Sequence, residues 1–184
     1  MNLTRNPRRF EILIVSGLIL GLWFVMYFAF ARARNTKRQQ MCVSNLKSIA
    51  MATSQYVRDY DEVYPPANRW SQALLRYSKN DTIFHCPSVE HFGYSMNMHL
   101  DALSVARVDD PAKTPVIFDS FILKKFQYDS GTSWAKDARH PLGNAVAFAD
   151  GHVKLHRQKP LFRSFPPQKI KIRIRKRTFK NQSK

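Results

Sequence analysis

The stretch ILIVSGLILGLWFVMYFAFA, residues 12–31, decides the architecture because it holds twenty consecutive residues without a charged side chain. A helix of that length measures about 30 Å, the thickness of the hydrocarbon core of a bilayer. Trp23, Tyr27 and the flanking basic residues suit the lipid–water interfaces. A cleaved signal peptide is the alternative, but its apolar region is usually shorter. We therefore expect a retained transmembrane helix over residues 12–31, preceded by a basic segment, residues 1–11.

The residues that follow continue the helical pattern, and no proline stands between Pro7 and Pro65. One stripe recurs at alternating steps of four and three residues, as on the buried face of an amphipathic helix: Cys42, Leu46, Ile49, Thr53, Tyr56 and Tyr60. We predict one continuous helix of about fifty residues, whose amphipathic extension over residues 32–62 packs on a soluble domain. Tyr64-Pro65-Pro66 should end this helix, because proline lacks a backbone donor and restricts the residue before it.

The net charge of +17 comes from the two ends of the chain. Residues 1–38 carry +6, residues 39–156 carry equal numbers of acidic and basic side chains, and residues 157–184 carry +11 without an acid. A folded nucleic-acid-binding domain would carry the basic excess on its own surface. The charge therefore describes the appendages and not the fold.

Residues 63–157 are predicted to form one small extracytoplasmic α+β domain. We expect a short helix from Arg69 to Tyr77, an extended segment from Thr82 to Cys86 and a strand from Pro115 to Asp119. Residues 120–139 have no clear period and are expected to form a loop. The predicted fold is α+β, with the long N-terminal helix packed on a small antiparallel sheet.

A β-hairpin is predicted around Asp150-Gly151, a dipeptide typical of two-residue turns. With these two residues as the loop, Phe148 faces Val153 and Val146 faces Leu155. One face of the hairpin is then wholly apolar, while the other pairs small alanines with His152 and Lys154. Both strands agree on which face is buried, which supports this register.

The chain has two cysteines, Cys42 on the apolar stripe and Cys86 beside Pro87. Two cysteines are too few for a disulfide-dense scaffold or a four-thiolate zinc site. An isolated pair in a membrane-tethered domain is more often a disulfide than a metal or redox site. A disulfide here would place the domain outside the cytoplasm. The alternative is two free buried thiols in a reducing compartment. The positive charges flanking the apolar stretch are nearly balanced and do not set the orientation by themselves.

A membrane helix that continues into an amphipathic helix and then a small sheet domain resembles the type IV pilins and the pseudopilins of type II secretion. The details are similar to one branch of that superfamily, which is marked by a His-x9-Asp-Gly pattern. Here that pattern is His140 followed, after nine residues, by Asp150-Gly151. Four further segments resemble the branch: residues 42–47, 60–66, 84–87 and 92–94. The pilin leader is atypical, because only Arg9-Phe10-Glu11 stands where a Gly-Phe-Thr-Leu-Ile-Glu type sequence is usual.

The resemblance implies a non-enzymatic, single-pass inner-membrane protein with a cytoplasmic N-terminus and an extracytoplasmic C-terminal domain. Its partners would be other pilin-like subunits, or the machinery that assembles a pilus or a type II secretion structure. No cofactor is expected. Sequence motifs for phosphate-binding glycine loops and for a Gly-x-Ser-x-Gly nucleophile are absent, which argues against an enzyme.

Two metal sites are weaker hypotheses. His140, Asp150 and His152 offer imidazole and carboxylate ligands suited to zinc or manganese, although Asp150 and Gly151 are also what the turn requires. Pseudopilins often bind calcium through loop carboxylates, and four are available here: Asp109, Asp110, Asp119 and Asp129. Their spacing does not distinguish a site from solvated loop acids.

The basic tail, residues 158–184, alternates isoleucines with cations, a pattern of period two that is typical of a strand. The cations that would bind a polyanion are Lys169, Lys171, Arg173, Arg175, Lys176 and Arg177. The tail could add to a sheet edge, bind anionic lipid or cell-wall polymer, or bind DNA, and a disordered basic tail is the alternative. The sequence thus favours a pilin-like assembly subunit. A non-polymerising anchored polyanion-binding protein comes second, and a tethered metalloprotein third.

Overall fold

The computed structural model describes residues 7–90, 92–125 and 127–165. Its first element is a single helix, α1, Pro7–Asp59, of 53 residues. The predicted continuous helix is therefore confirmed. Its predicted end at Tyr64-Pro65-Pro66 is wrong, because the chain turns earlier, with Asp61 and Glu62 in the left-handed region. The Glu62 N–H donates to the Val57 carbonyl at 2.9 Å, as in a Schellman cap.

The two halves of α1 have different surroundings. The N-terminal half contains an 18-residue window of mean hydropathy 2.4 that is not buried against the rest of the chain, so α1 is long and apolar enough to cross a membrane. The predicted apolar stripe of the C-terminal half is buried from Cys42 to Tyr56. Tyr60 departs from it, with 45% of its surface exposed, and stacks on Tyr56 at 4.2 Å between ring centroids.

The second helix, α2, Trp70–Ser78, matches the predicted short helix and continues from a 3-10 turn, Ala67–Arg69. The extended segment predicted for residues 82–86 is wrong, because Thr82–Phe84 form a 3-10 turn. The Asn80 side-chain oxygen accepts from the Thr82 N–H at 2.9 Å, and this local bond favours a turn over a strand. Two more 3-10 turns are Met98–Leu100 and Val105–Arg107.

Five strands form one sheet: β1 Tyr94–Asn97, β2 Pro115–Asp119, β3 Tyr128–Asp129, β4 Asn144–Phe148 and β5 Val153–His156. Their order is β3-β1-β2-β4-β5, and β2 has the predicted bounds. The α+β layout is confirmed, but the sheet is mixed and not antiparallel throughout, because β1 and β3 pair in parallel. The loop after β2 passes the start of β1, where the Ser120 N–H donates to the Gly93 carbonyl, and enters β3 from that same end.

The hairpin of β4 and β5 exists, but its predicted register is shifted by one residue. Ala147 faces Val153 and Ala145 faces Leu155, and the connection has three residues, Ala149-Asp150-Gly151. The Gly151 N–H donates to the Phe148 carbonyl, and Gly151 has a φ of +91°, as in a type I turn followed by a bulge. The predicted apolar face is therefore wrong in its members, because Val146 and Phe148 do not lie on the same face as Val153 and Leu155.

The corrected register follows from burial on both faces of β4. Ala145, Ala147, Val153 and Leu155 pack in the cluster that contains the buried stripe of α1, where alanines permit a close approach of the helix. Val146 and Phe148 pack on the opposite face with Phe118, Trp134 and Phe162. Phe162 and Phe165 lie beyond residue 157, so packing against the domain continues into the start of the segment predicted as tail.

Candidate functional site

A disulfide joins α1 to the sheet domain. Cys42 and Cys86 are bonded and fully buried, which confirms the predicted pair. Two hydrogen bonds fix the backbone around the bridge: Asn45 Nδ2 donates to the His85 carbonyl at 2.9 Å, and the Tyr94 hydroxyl donates to the Cys42 carbonyl at 3.2 Å. Burial is the main reason that the pKa of Tyr94 is raised, so this hydroxyl stays protonated as a donor.

A buried ion pair lies beside the bridge. Arg139 Nη1 is 3.0 Å from Asp119 Oδ1, and the two side chains are only 7% and 0% exposed. Arg139 also donates to the carbonyls of Gly93, at 2.7 Å, and Ser120. The backbone N–H of Ala145 donates to Asp119 Oδ2 at 2.6 Å. Each charge therefore has both an opposite charge and neutral partners, as a buried pair requires.

His140 connects the ion pair to the disulfide. Its Nε2 lies 3.3 Å from Asp119 Oδ2 and 3.8 Å from Cys86 Sγ, while its Nδ1 lies 3.3 Å from Ser88 Oγ. We call Cys42, Cys86, Asp119, Arg139 and His140 the polar node.

Two neighbouring residues set the position of the node. The Asn144 side chain accepts from the Arg139 N–H at 2.8 Å and donates to the Ala135 carbonyl at 2.7 Å, which holds the Arg139-His140 dipeptide at the start of β4. Gly93 lets the chain pass alongside, because a Cβ there would lie 2.9 Å from both Arg139 Nη1 and Cys86 Cβ. Gly93 belongs to residues 92–94, one of the segments that resemble the pilin branch. The need for a glycine there follows only from its close approach to Arg139 and Cys86.

The metal ligands suggested by the sequence do not come together. His140 is buried before β4, whereas Asp150 and His152 lie after it, at the exposed hairpin turn. There His152 Nδ1 is 2.6 Å from Asp150 Oδ1, and its ring stacks on Phe148 at 4.4 Å. The two ends of the His-x9-Asp-Gly pattern are thus separated by a strand: His140 serves the interior, and Asp150-Gly151 the turn.

The four acids suggested for calcium do not form a group of close ligands within the described residues. Asp119 belongs to the polar node, Asp109 is exposed, and Asp110 pairs with Lys113 at 2.8 Å, a hydrogen bond that lowers the pKa of Asp110. Asp129 accepts from Ser95, Gln127 and Ser133. Burial raises the pKa of Asp129, but these donors outweigh it and the net shift is downward. Each buried or half-buried acid is therefore satisfied by protein groups.

Within the described residues, three metal-ligating side chains lie within 4.8 Å of one another at the disulfide: Cys42, Cys86 and His140. Sequence reasoning singled out each of them separately. It missed the Asp119–Arg139 pair and Ser88, because these residues come from the end of β2 and from two separate loops, which share no periodic signal. The predicted polyanion-binding cations, residues 169–177, lie outside the described part of the chain.

The fold and the polar node together define a class: an α+β domain, bonded by a disulfide to one long helix that is apolar enough to cross a membrane. No protein-family model, curated protein or solved structure matches this chain.

Proposed function

We propose that this protein is a non-enzymatic, membrane-anchored, pilin-like subunit that works by assembly, in a pilus-like or type II secretion-type structure. The observation that carries the proposal is the division of α1. Its first half exposes an apolar surface on all sides, and its second half is buried against the domain that it carries.

The apolar half of α1 needs a non-aqueous environment. Large side chains from Phe10 to Phe30 are about half exposed or more, and in water this surface would aggregate. Lipid satisfies it in the single subunit, and neighbouring copies of the same helix would satisfy it in an assembly. Gly17 and Gly21 are four residues apart with nothing within 4 Å of either Cβ position, the small-xxx-small spacing that lets membrane helices approach closely.

The other half of α1 makes the domain and helix one mechanical unit. The Cys42–Cys86 bridge, the Asn45 and Tyr94 hydrogen bonds and the buried stripe fix the domain to the helix. A subunit built this way keeps one orientation relative to its anchor, which a helical assembly requires. Disulfides persist in oxidising compartments, and this supports an inner-membrane location with the N-terminus cytoplasmic and the domain extracytoplasmic.

Photocrosslinking in intact membranes tests assembly. A benzophenone side chain is placed at Leu18 in the apolar half of α1, or at Leu161 on the domain as a matched control, since these leucines are 68% and 66% exposed. We expect a ladder of crosslinked multimers from position 18 that disappears when detergent disperses the membrane before irradiation. A monomer alone at position 18, in membranes that contain the protein, would contradict assembly.

The charge distribution supports a second candidate, an anchored protein that binds polyanions and does not polymerise. Residues 157–184 carry eleven basic residues and no acid, and clusters of this kind bind anionic lipid, cell-wall polymers or DNA. Loss of binding to anionic vesicles or to DNA in a chain lacking residues 165–184, together with no crosslinked ladder, would favour this candidate. Equal binding with and without the tail would defeat it.

A further inference from the structure

The arrangement around His140 has the features of a metal ligand set. His140 directs Nε2 toward Cys86 Sγ, while Nδ1 meets Ser88 Oγ. Metal-binding histidines use one ring nitrogen as the ligand and hold the other with a hydrogen-bond partner. Cys42, Cys86 and His140 are all buried, so the three ligand atoms are shielded from competing water.

The distances fit a tetrahedral zinc ion. With zinc–sulfur and zinc–nitrogen bonds of about 2.3 and 2.0 Å, tetrahedral ligands lie about 3.5 Å apart for sulfur and nitrogen and about 3.3 Å for nitrogen and oxygen. Cys86 Sγ is 3.8 Å from His140 Nε2, and Asp119 Oδ2 is 3.3 Å from the same nitrogen. Asp119 contacts His140 but does not belong to the group of side chains whose ligand atoms all lie within 4.8 Å of one another, which leaves the fourth zinc position open, as in zinc sites with three protein ligands.

The distance between the two cysteine sulfurs decides when the site can hold zinc. Two zinc thiolates lie about 3.8 Å apart, whereas disulfide-bonded sulfurs lie about 2 Å apart. We propose that Cys42, Cys86 and His140 form a zinc site with three protein ligands that opens when the 42–86 disulfide is reduced. This inference goes beyond the proposed function and does not depend on assembly.

The chemistry balances in two steps. A dithiol reductant gives two electrons and two protons to the disulfide, which becomes two thiols, and the reductant becomes a disulfide. Zinc then replaces both thiol protons, which pass to solvent, and forms two zinc–thiolate bonds and one bond to neutral His140 Nε2. Zinc bound in this way would replace the covalent link between α1 and the domain under reducing conditions.

The test uses the full chain in detergent micelles. The disulfide is reduced with a phosphine, which takes up an oxygen from water to form its oxide, and the phosphine is removed under nitrogen. Cobalt(II), a spectroscopic substitute for zinc, is then added alone. We expect about one cobalt per chain with thiolate-to-cobalt charge-transfer bands, and no such bands in the oxidised chain. Zinc should displace the cobalt and protect both thiols from alkylation.

Two histidine variants identify the nitrogen ligand. His140→Ala should weaken cobalt binding at least about tenfold, whereas His152→Ala, at the exposed hairpin turn, should leave it unchanged. The inference is overturned if the reduced chain takes up no cobalt, if cobalt binds without charge-transfer bands, or if His140→Ala binds as the wild type does. If His140→Ala fails to fold, thiol protection and spectra of the wild type decide. A reduced wild-type chain that unfolds and is not restored by zinc also overturns it.

Discussion

Asp119 shows how one residue organises the interior of this protein. Its carboxylate accepts from Arg139 and from the Ala145 backbone, and one oxygen lies 3.3 Å from His140 Nε2. A carboxylate buried without such partners would lose its hydration without compensation. Asp119 therefore links β2, β4 and the loop before β4 that carries Arg139, and its charge is what makes the burial of Arg139 tolerable.

Replacing Asp119 by asparagine should destabilise the domain strongly. Asp119→Asn leaves the Arg139 cation buried without its counter-charge, and breaking such a pair lowers the free energy of unfolding by about 3–5 kcal/mol. The measurement is urea unfolding of the full chain in micelles. Asp110→Asn is the control, because it breaks an exposed pair with Lys113 and should change stability little. Similar losses in both variants would show that the buried pair is not special.

His156 gives the domain a pH dependence. Its Nε2 is buried without a hydrogen-bond partner in the described part of the chain, and burial, followed by the charges of Lys154 and His152, lowers the pKa of His156 from 6.5. As the pH falls below about 6.5, His156 binds a proton more readily in the unfolded chain than in the folded chain. Stability is therefore present above about pH 6.5 and lost as the pH falls toward the lower folded pKa.

A comparison of variants isolates this effect. Between about pH 7.5 and pH 5, the free energy of unfolding should fall less in His156→Gln than in the wild type. His99→Gln, in the 3-10 turn Met98–Leu100, serves as the control and should keep the wild-type slope. The attribution to His156 fails if all three proteins show the same slope.

At the scale of elements, the predictions that held rest on local signals. Helix α1 follows from uncharged and periodic residues, and β2 from an apolar run after a proline, so neither needs knowledge of its neighbours. Strand β1 gave no signal, because all four of its residues are buried and no polar alternation marks it. The hairpin register failed for the same reason: β4 is covered on both faces, and an argument that assumes one exposed face chooses the wrong pairing.

The disulfide stabilises the attachment of α1 to the domain. It closes a loop with a sequence separation of 44 residues, and loop-closure entropy predicts a stabilisation of about 4 kcal/mol. The double variant Cys42→Ala/Cys86→Ala should lower the free energy of unfolding by about that amount. Unfolding is measured through the fluorescence of buried Trp70 and Trp134. Reduced wild type without added metal should match the variant. A loss below about 1 kcal/mol would mean that packing alone holds the joint.

At the scale of the molecule, the candidate site was only partly predictable. The sequence pointed to the cysteines and to His140, since their types and spacing are informative. The contacts among them depend on α1, the end of β2 and two loops meeting near the start of β4, and Asp119 and Arg139 are 20 residues apart with no periodic relation. The polar node is therefore a property of the tertiary fold. The apolar half of α1, by contrast, is a property of twenty consecutive residues, so its consequence for membrane insertion can be tested by changing those residues alone.

Membrane insertion should depend on the apolar half of α1 and not on apolar surface in general. Leu20→Arg/Leu22→Arg places two charges at the centre of the stretch, each disfavouring insertion by about 2.5–3.5 kcal/mol. Leu142→Arg/Leu161→Arg is the control, because these leucines are also exposed but lie on the domain. After carbonate extraction, the wild type and the control should stay in the membrane pellet. The pellet should contain less of the Leu20→Arg/Leu22→Arg variant. If the wild type itself appears in the aqueous fraction without detergent, α1 does not span a membrane, and the assembly proposal falls with it.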